Sequence, residues 1–218
     1  FEMGLLNEKD WTAKWIDPEP AHNSEERQPA SYLKKEFEVE RTGHARLYIT
    51  AHGVYDAYIN GIKAGDFILA PGTSQYDVRL QYQSYDVSSL LRQGKNEIVV
   101  TIGDGWWRGD TGYGGERNSF GTDLGLLCQL EIDKKTVLVS DGSWMASQTG
   151  PLGHNDLMQG EQYDARKEDI CEWHPVTERK IGYGNLVCSN SFDVVEKEHF
   201  TGKRIDTPNG GLVIDFGQ

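Results

Sequence analysis

No stretch of this 218-residue chain keeps its apolar residues at the three-to-four spacing of a helix face. They fall instead in short runs rich in β-branched and aromatic side chains, cut apart by Gly, Asn and Asp. That pattern restricts the chain to strands joined by turns. Strands are expected over 11–16, 32–39, 45–51, 54–59, 62–67, 80–87, 97–102, 124–132, 136–139, 143–147 and 212–216. The run 32–39 sets Leu33, Phe37 and Val39 against Tyr32, Lys34, Glu36 and Glu38, with Lys35 out of phase. Asn60-Gly61 is a two-residue hairpin signal, because both residues of such a turn need positive φ. A second hairpin is expected around Asp133-Lys134, a turn at Gly94-Lys95-Asn96, and one helical turn over 88–91. The expected fold class is therefore all-β, an antiparallel β-sandwich or jelly roll. Neither βαβ units nor a repeat of solenoid length is present.

The net charge of -12 comes without a basic stripe, which argues against nucleic acid and anionic membranes as partners. No apolar run approaches a membrane span, and the first residues lack the basic and apolar regions of a signal peptide. The localisation stays open. The three cysteines, Cys128, Cys171 and Cys188, form no CxxC pair. Cys128 reads as a buried thiol, and neither a disulfide framework nor a zinc site is expected.

Several motifs follow one another in a set order. They are Ala45 to Ala51, Gly53-Val54-Tyr55-Asp56-Ala57-Tyr58-Ile59-Asn60-Gly61, Leu69-Ala70-Pro71-Gly72, Tyr76-Asp77 and Leu80 to Val87. Gly103-Asp104-Gly105-Trp106-Trp107-Arg108-Gly109 and Gly160-Glu161-Gln162-Tyr163-Asp164-Ala165-Arg166 come after them. In this order they resemble the N-terminal domain of bacterial α-L-rhamnosidases. The closing Val213 to Gln218 is similar to the strand that opens the next domain of those enzymes.

The resemblance implies a galactose-binding-like jelly roll, which in some members binds rhamnose with a calcium ion. It also implies that catalysis, an inverting hydrolysis by acidic residues, resides in a separate (α/α)6 barrel C-terminal to everything here. Three regions are expected on this basis. Residues 1–29 form an N-terminal strand and linker packing with the C-terminal segment, and 30–180 form the jelly roll. Residues 181–218 begin a following, incomplete β-sandwich. The strands at 11–16 and 212–216 are expected to lie near each other in that second sandwich.

The segment 103–123 is the first candidate site. It combines aromatic faces, on which a pyranose ring stacks, with groups that bond hydroxyls. Trp106, Trp107, Arg108, Glu116, Arg117 and Asn118, with Asn155, are the candidate carbohydrate-binding residues. Glu116, Asn118 and Asp156 are the candidate ligands for calcium, which takes roughly six to eight oxygens. Family members with the sugar site carry an acidic residue followed by Asn just before an aromatic-Gly-Asp segment. Here Asn118 matches, but Arg117 stands at the acidic position with Glu116 one residue away. The competing view makes 103–109 a structural turn whose tryptophans pack against a neighbouring catalytic domain.

The second candidate is His154-Asn155-Asp156 with Glu161, Tyr163, Asp164 and Arg166. An Asp164–Arg166 pair is expected to tie a loop to the sandwich, and Tyr163 is expected in the core. Asn60 is explained by its turn conformation. His22, His44, His52, His174 and His199 show no ligand spacing. The glycine-rich stretches lack the following helix and Gly-Lys-Ser/Thr of a phosphate loop.

Two functions follow. The first is a non-catalytic accessory domain of an α-L-rhamnosidase-like glycoside hydrolase, with the catalytic domain of the same polypeptide as partner. The second is an independent module for rhamnosyl carbohydrate, with or without calcium. A small hydrolase active by itself is the third and least favoured reading.

Overall fold

The computed structural model describes residues 4–18, 26–169, 171–190 and 192–217. Strands β1 to β9 are Trp15–Asp17, Ser31–Val39, Ala45–His52, Val54–Ile59, Ile62–Lys63, Leu80–Asp86, Gly94–Gly103, Gly125–Ile132 and Lys135–Val139. Strands β10 to β17 are Met145–Ser147, Leu152–Asp156, Gly160–Tyr163, His174–Pro175, Thr177–Arg179, Leu186–Cys188, Lys203–Asp206 and Leu212–Asp215. Among the described residues one short α-helix, α1 (Gly105–Arg108), and three 3-10 turns interrupt them. Two sheets carry the fold. One runs β14-β1-β8-β3-β6-β15 with β9 also on β8, and the other runs β13-β10-β2-β7-β4-β5. Their neighbours are antiparallel except β15, which lies parallel to β6. The all-β sandwich expected from the strand pattern is what forms.

Alternation sorts the side chains between layers. Ala45, Leu47, Ile49 and Ala51 of β3 point into the space between the sheets, where they meet Leu126, Cys128, Leu130 and Ile132 of β8 and Leu33, Val100 and Ile102 opposite. Each fully buried Leu, Ile or Val among them contributes about 1.5–3 kcal/mol. Strand β8 is apolar at nearly every position because both of its faces are covered. Its outer face lies under residues 10–13. Gln129 Oε1 accepts from the Thr12 and Ala13 amides at 2.8 and 3.3 Å. Trp11 packs edge-on against Tyr82 with ring centroids 5.2 Å apart. Lys35 faces inward in phase with Leu33 and Phe37, yet its amine escapes to the Ser143 hydroxyl, 2.7 Å away. The break in alternation is thus resolved beside the start of β10.

Both turn residues of the 60–61 hairpin take positive φ, 51° and 80°. The Asp133-Lys134 hairpin also forms, at 49° and 65°.

Other expectations need correction. The return strand over 62–67 shrinks to Ile62–Lys63. Gly94 to Asn96 belong to β7 rather than to a turn. Asn96 is buried there because its amide donates to the Arg92 and Gly94 carbonyls at 2.7 and 2.9 Å. The strand expected over 11–16 begins only at Trp15, since Trp11 and Ala13 serve to cover the first sheet.

The two end strands, expected near each other, do not share a sheet. Strand β1 pairs with β8 and β14 inside the first sheet, whereas β17 pairs with β16 in a separate hairpin. The cause is that Ile16 belongs to the core between the sheets while Trp15 belongs to the outer aromatic layer. The N-terminal segment does touch residues 181–186: the Tyr183 hydroxyl donates to the Ala13 carbonyl at 2.8 Å, and Ile181 and Leu186 pack on the same layer. His22 lies outside the described residues.

Candidate functional site

The segment 103–123 leaves the end of β7, makes the single turn α1 and returns to β8. It is held by two interlocked constructions, one aromatic and one ionic.

The aromatic one is a stack. Trp107 lies on His52 with centroids 3.8 Å apart and planes within 2°. His52 in turn lies on Trp15 at 4.2 Å. Tyr76 and Phe120 flank Trp107, whose Nε1 donates to the Asp123 carbonyl at 3.0 Å. Gly121 sits so close that any Cβ there would come within 2.7 Å of the indole. Burial pushes the His52 imidazole down to about 3, aided by the positive charge of Arg179 and opposed by Asp123. His52 is therefore a neutral spacer between two indoles. Trp107 packs within its own sandwich, and its His52-facing side is closed to a sugar. Trp106 is half-buried at the margin of the same layer.

The ionic construction joins three aspartates to three arginines. Arg108, 2% exposed, donates from Nε to Asp104 Oδ1 at 2.6 Å and from Nη1 to the Thr122 carbonyl at 3.3 Å. Arg117 reaches Asp104 at 3.4 Å, Asp110 at 3.1 Å and Asp156 at 3.7 Å. Arg27, from the loop before β2, closes on the other Asp110 oxygen at 2.8 Å. Burial alone would raise the Asp110 carboxyl, but hydrogen bonds from Arg27, Arg117 and Gln159 outweigh it and hold that group below its ordinary value. A buried carboxylate is tolerated only with such compensation.

The candidate calcium ligands do not fit that ion. Asp156 Oδ2 accepts from the Asp110 amide at 2.8 Å, and Oδ1 accepts from the Met158 and Gln159 amides at 2.8 and 3.0 Å. Glu116 is exposed beyond the short bridge that pairs Thr111 with Glu116. Asn118 takes a left-handed φ of 60° and its amide donates to the Arg108 carbonyl at 3.1 Å. Among the described residues no three His, Cys, Asp or Glu side chains gather as a metal set. The positive charge at the centre of the three aspartates is the Arg117 guanidinium itself.

The second candidate group falls on a hairpin that the sequence reading missed, β11 and β12. Asn155 faces Glu161 across it, with Nδ2 donating to Oε2 at 3.2 Å. Asp164 does pair with Arg166, at 2.8 Å, but Arg166 is 90% exposed, so the pair caps a local turn and ties nothing to the sandwich. Tyr163 is 51% exposed rather than core, its hydroxyl donating to Glu168 at 2.5 Å. Sequence reasoning also missed Arg27, Asp104, Asp110 and His52. Only the Asp104–Arg108 spacing of four carried a local signal.

Residues 40–196 match the family model described as the alpha-L-rhamnosidase N-terminal domain. An alpha-L-rhamnosidase of Formosa agariphila is 38% identical over 99% of this chain and 24% of its own length. The crystal structure of native alpha-L-rhamnosidase from Aspergillus terreus superposes with a TM-score of 0.89 at 35% identity, over 98% of this chain and 26% of that one. That of Streptomyces avermitilis alpha-L-rhamnosidase complexed with L-rhamnose gives 0.77 at 32% identity, over 88% of this chain and 20% of that one. The chain spans about a quarter of the length of the relatives it matches.

Proposed function

Given that this chain belongs to the family of alpha-L-rhamnosidase N-terminal domains, we propose that it is a non-catalytic accessory β-sandwich of a glycoside hydrolase that removes terminal α-L-rhamnosyl groups with inversion. Its partner is a catalytic domain of the same polypeptide, and the β16–β17 hairpin, which lies outside the two main sheets, begins the β-sandwich that leads towards it. The observation that carries this reading is the state of the clustered carboxylates. Glycoside hydrolysis needs two carboxyl groups across a cleft, roughly 5–10 Å apart, one of them kept protonated. Asp104, Asp110 and Asp156 are instead buried and neutralised by arginines, and Asp110 is held below its ordinary value.

Replacing the matching segment of the Formosa agariphila enzyme with this chain tests the accessory role. The chimera is expected to be soluble and to hydrolyse an aryl α-L-rhamnoside. Loss of activity in a soluble, folded chimera would contradict it.

The alternative is an independent module for rhamnosyl carbohydrate, and the Streptomyces avermitilis relative in complex with L-rhamnose favours keeping it. Calorimetric titration of the chain with L-rhamnose, with and without calcium, separates the two. Absence of both heat and thermal shift removes the module.

A further inference from the structure

The chain contains two Asn-Gly steps, Asn60-Gly61 and Asn209-Gly210. They lie in the turns of the β4–β5 and β16–β17 hairpins, and their glycines take positive φ, 80° and 74°. A Cβ added at either glycine would meet nothing within 4 Å, so crowding at the glycine does not distinguish the two steps. The asparagine side chains do. We propose that Asn209 is a site of spontaneous deamidation and isoaspartate formation in the folded chain, and that the partners of Asn60 shield it from the same reaction.

The reaction consumes only water. The backbone nitrogen of the following glycine loses its proton to solvent and attacks the asparagine Cγ. A bond forms between them, the bond from Cγ to the side-chain nitrogen breaks, and that nitrogen takes up a proton and leaves as ammonia. Water then opens the succinimide at either carbonyl. One opening gives aspartate, and the other gives isoaspartate, whose main chain runs through Cγ. The step therefore needs a Cγ free to swing towards the next residue and an amide free to give up its proton.

Asn60 lacks the first freedom. Its Nδ2 donates to the Leu90 carbonyl at 2.9 Å and to Asn96 Oδ1 at 2.8 Å, while its Oδ1 accepts from the Glu97 amide at 3.1 Å. These three bonds hold the carboxamide against β7, and all must open before Cγ can turn. Asn209 is exposed, and its side chain bonds to none of the described residues. Only backbone bonds restrain the step there. The Gly210 amide donates to the Thr207 carbonyl at 3.0 Å, and the Thr207 amide to the Gly211 carbonyl at 3.2 Å. They belong to a two-stranded hairpin that is exposed at every strand position and pairs with no other strand among the described residues. A hairpin of that kind is marginally stable and opens readily. Three additional bonds at Asn60 set the two rates about a hundredfold apart.

Isoaspartate at this turn would add a methylene and a carboxylate between β16 and β17, and so disturb the register of 203–206 against 212–215. The inference does not depend on the role proposed above.

The test is to incubate the 218-residue chain at mildly alkaline pH, folded and in concentrated urea, and to follow both Asn-Gly peptides by mass spectrometry. Isoaspartate is counted by enzymatic methylation. In the folded chain, product is expected at Asn209 about a hundredfold faster than at Asn60, and in urea at similar rates at both. Asn209→Gln is expected to remove nearly all of the folded chain's isoaspartate. Equal rates at the two sites in the folded chain would overturn the proposal. So would an Asn209 that reacts in urea and stays intact in the folded chain. A difference that persists unchanged in urea would overturn the hydrogen bonds of Asn60 as its cause.

Discussion

His52 and Trp107 lie ring on ring, 3.8 Å apart and parallel to within 2°. This contact joins the end of β3 to the segment that the sequence marks as a sugar site. It requires an uncharged imidazole, and that gives it a pH dependence. His52 has an ordinary value of 6.5 and is pushed down to about 3 in the fold, chiefly by burial. Its contribution is therefore complete above pH 6.5 and is lost as pH falls from 6.5 towards 3, by about 1.4 kcal/mol per pH unit. Urea unfolding between pH 7 and pH 5 should show this loss, and His52→Phe should flatten it. An identical slope in the variant would contradict the stack as its source.

Trp107 acts through the same stack. Trp107→Ala should cost about 2–3 kcal/mol of stability, less than a fully buried aromatic because the ring is only partly buried, but with its stacked neighbours lost. Trp106→Ala, at a ring with the same partial burial but outside the stack on His52, should cost less. Comparable small losses in both would mean that Trp107 faces solvent as a binding platform does.

Arg117 supplies charge to three aspartates from the centre of their cluster. Arg117→Met should destabilise the fold by about 3–5 kcal/mol, because it leaves buried carboxylates uncompensated. For the same reason the melting temperature of the unaltered chain should not move on adding EDTA or calcium chloride. A rise with calcium would show that the ion, and not the guanidinium, holds this segment.

Asn60 has more to do than adopt a turn. Its Nδ2 donates to the Leu90 carbonyl at 2.9 Å and to Asn96 Oδ1 at 2.8 Å, and its Oδ1 accepts from the Glu97 amide at 3.1 Å. Asn60→Gly keeps the positive φ and removes these bonds, so it should lower the unfolding free energy by about 2 kcal/mol. A neutral result would restore the turn as its sole role.

What the sequence made legible was local or periodic. The Asn60-Gly61 turn is chemistry between adjacent residues, and the β8 run announces burial by composition alone. The β11–β12 hairpin escaped notice because Gly153, His154, Asn155 and Asp156 show no apolar alternation, and none of its strand residues except Asp156 is buried. Trp11 looked like strand because it is aromatic, and its role as cover for Tyr82 depends on a residue 71 positions away. The site was legible only as a concentration of suitable residue types. Which of them face solvent was decided by long-range partners: Arg27 lies 83 residues from Asp110, and Asp110 lies 46 from Asp156. Those partners turned several candidate ligand contacts into internal ones.

The rate at which the 218-residue chain alone hydrolyses an aryl α-L-rhamnoside tests the non-catalytic role most directly. The account predicts no turnover above buffer at any pH from 4 to 8. Turnover that a single carboxylate substitution abolishes would contradict it.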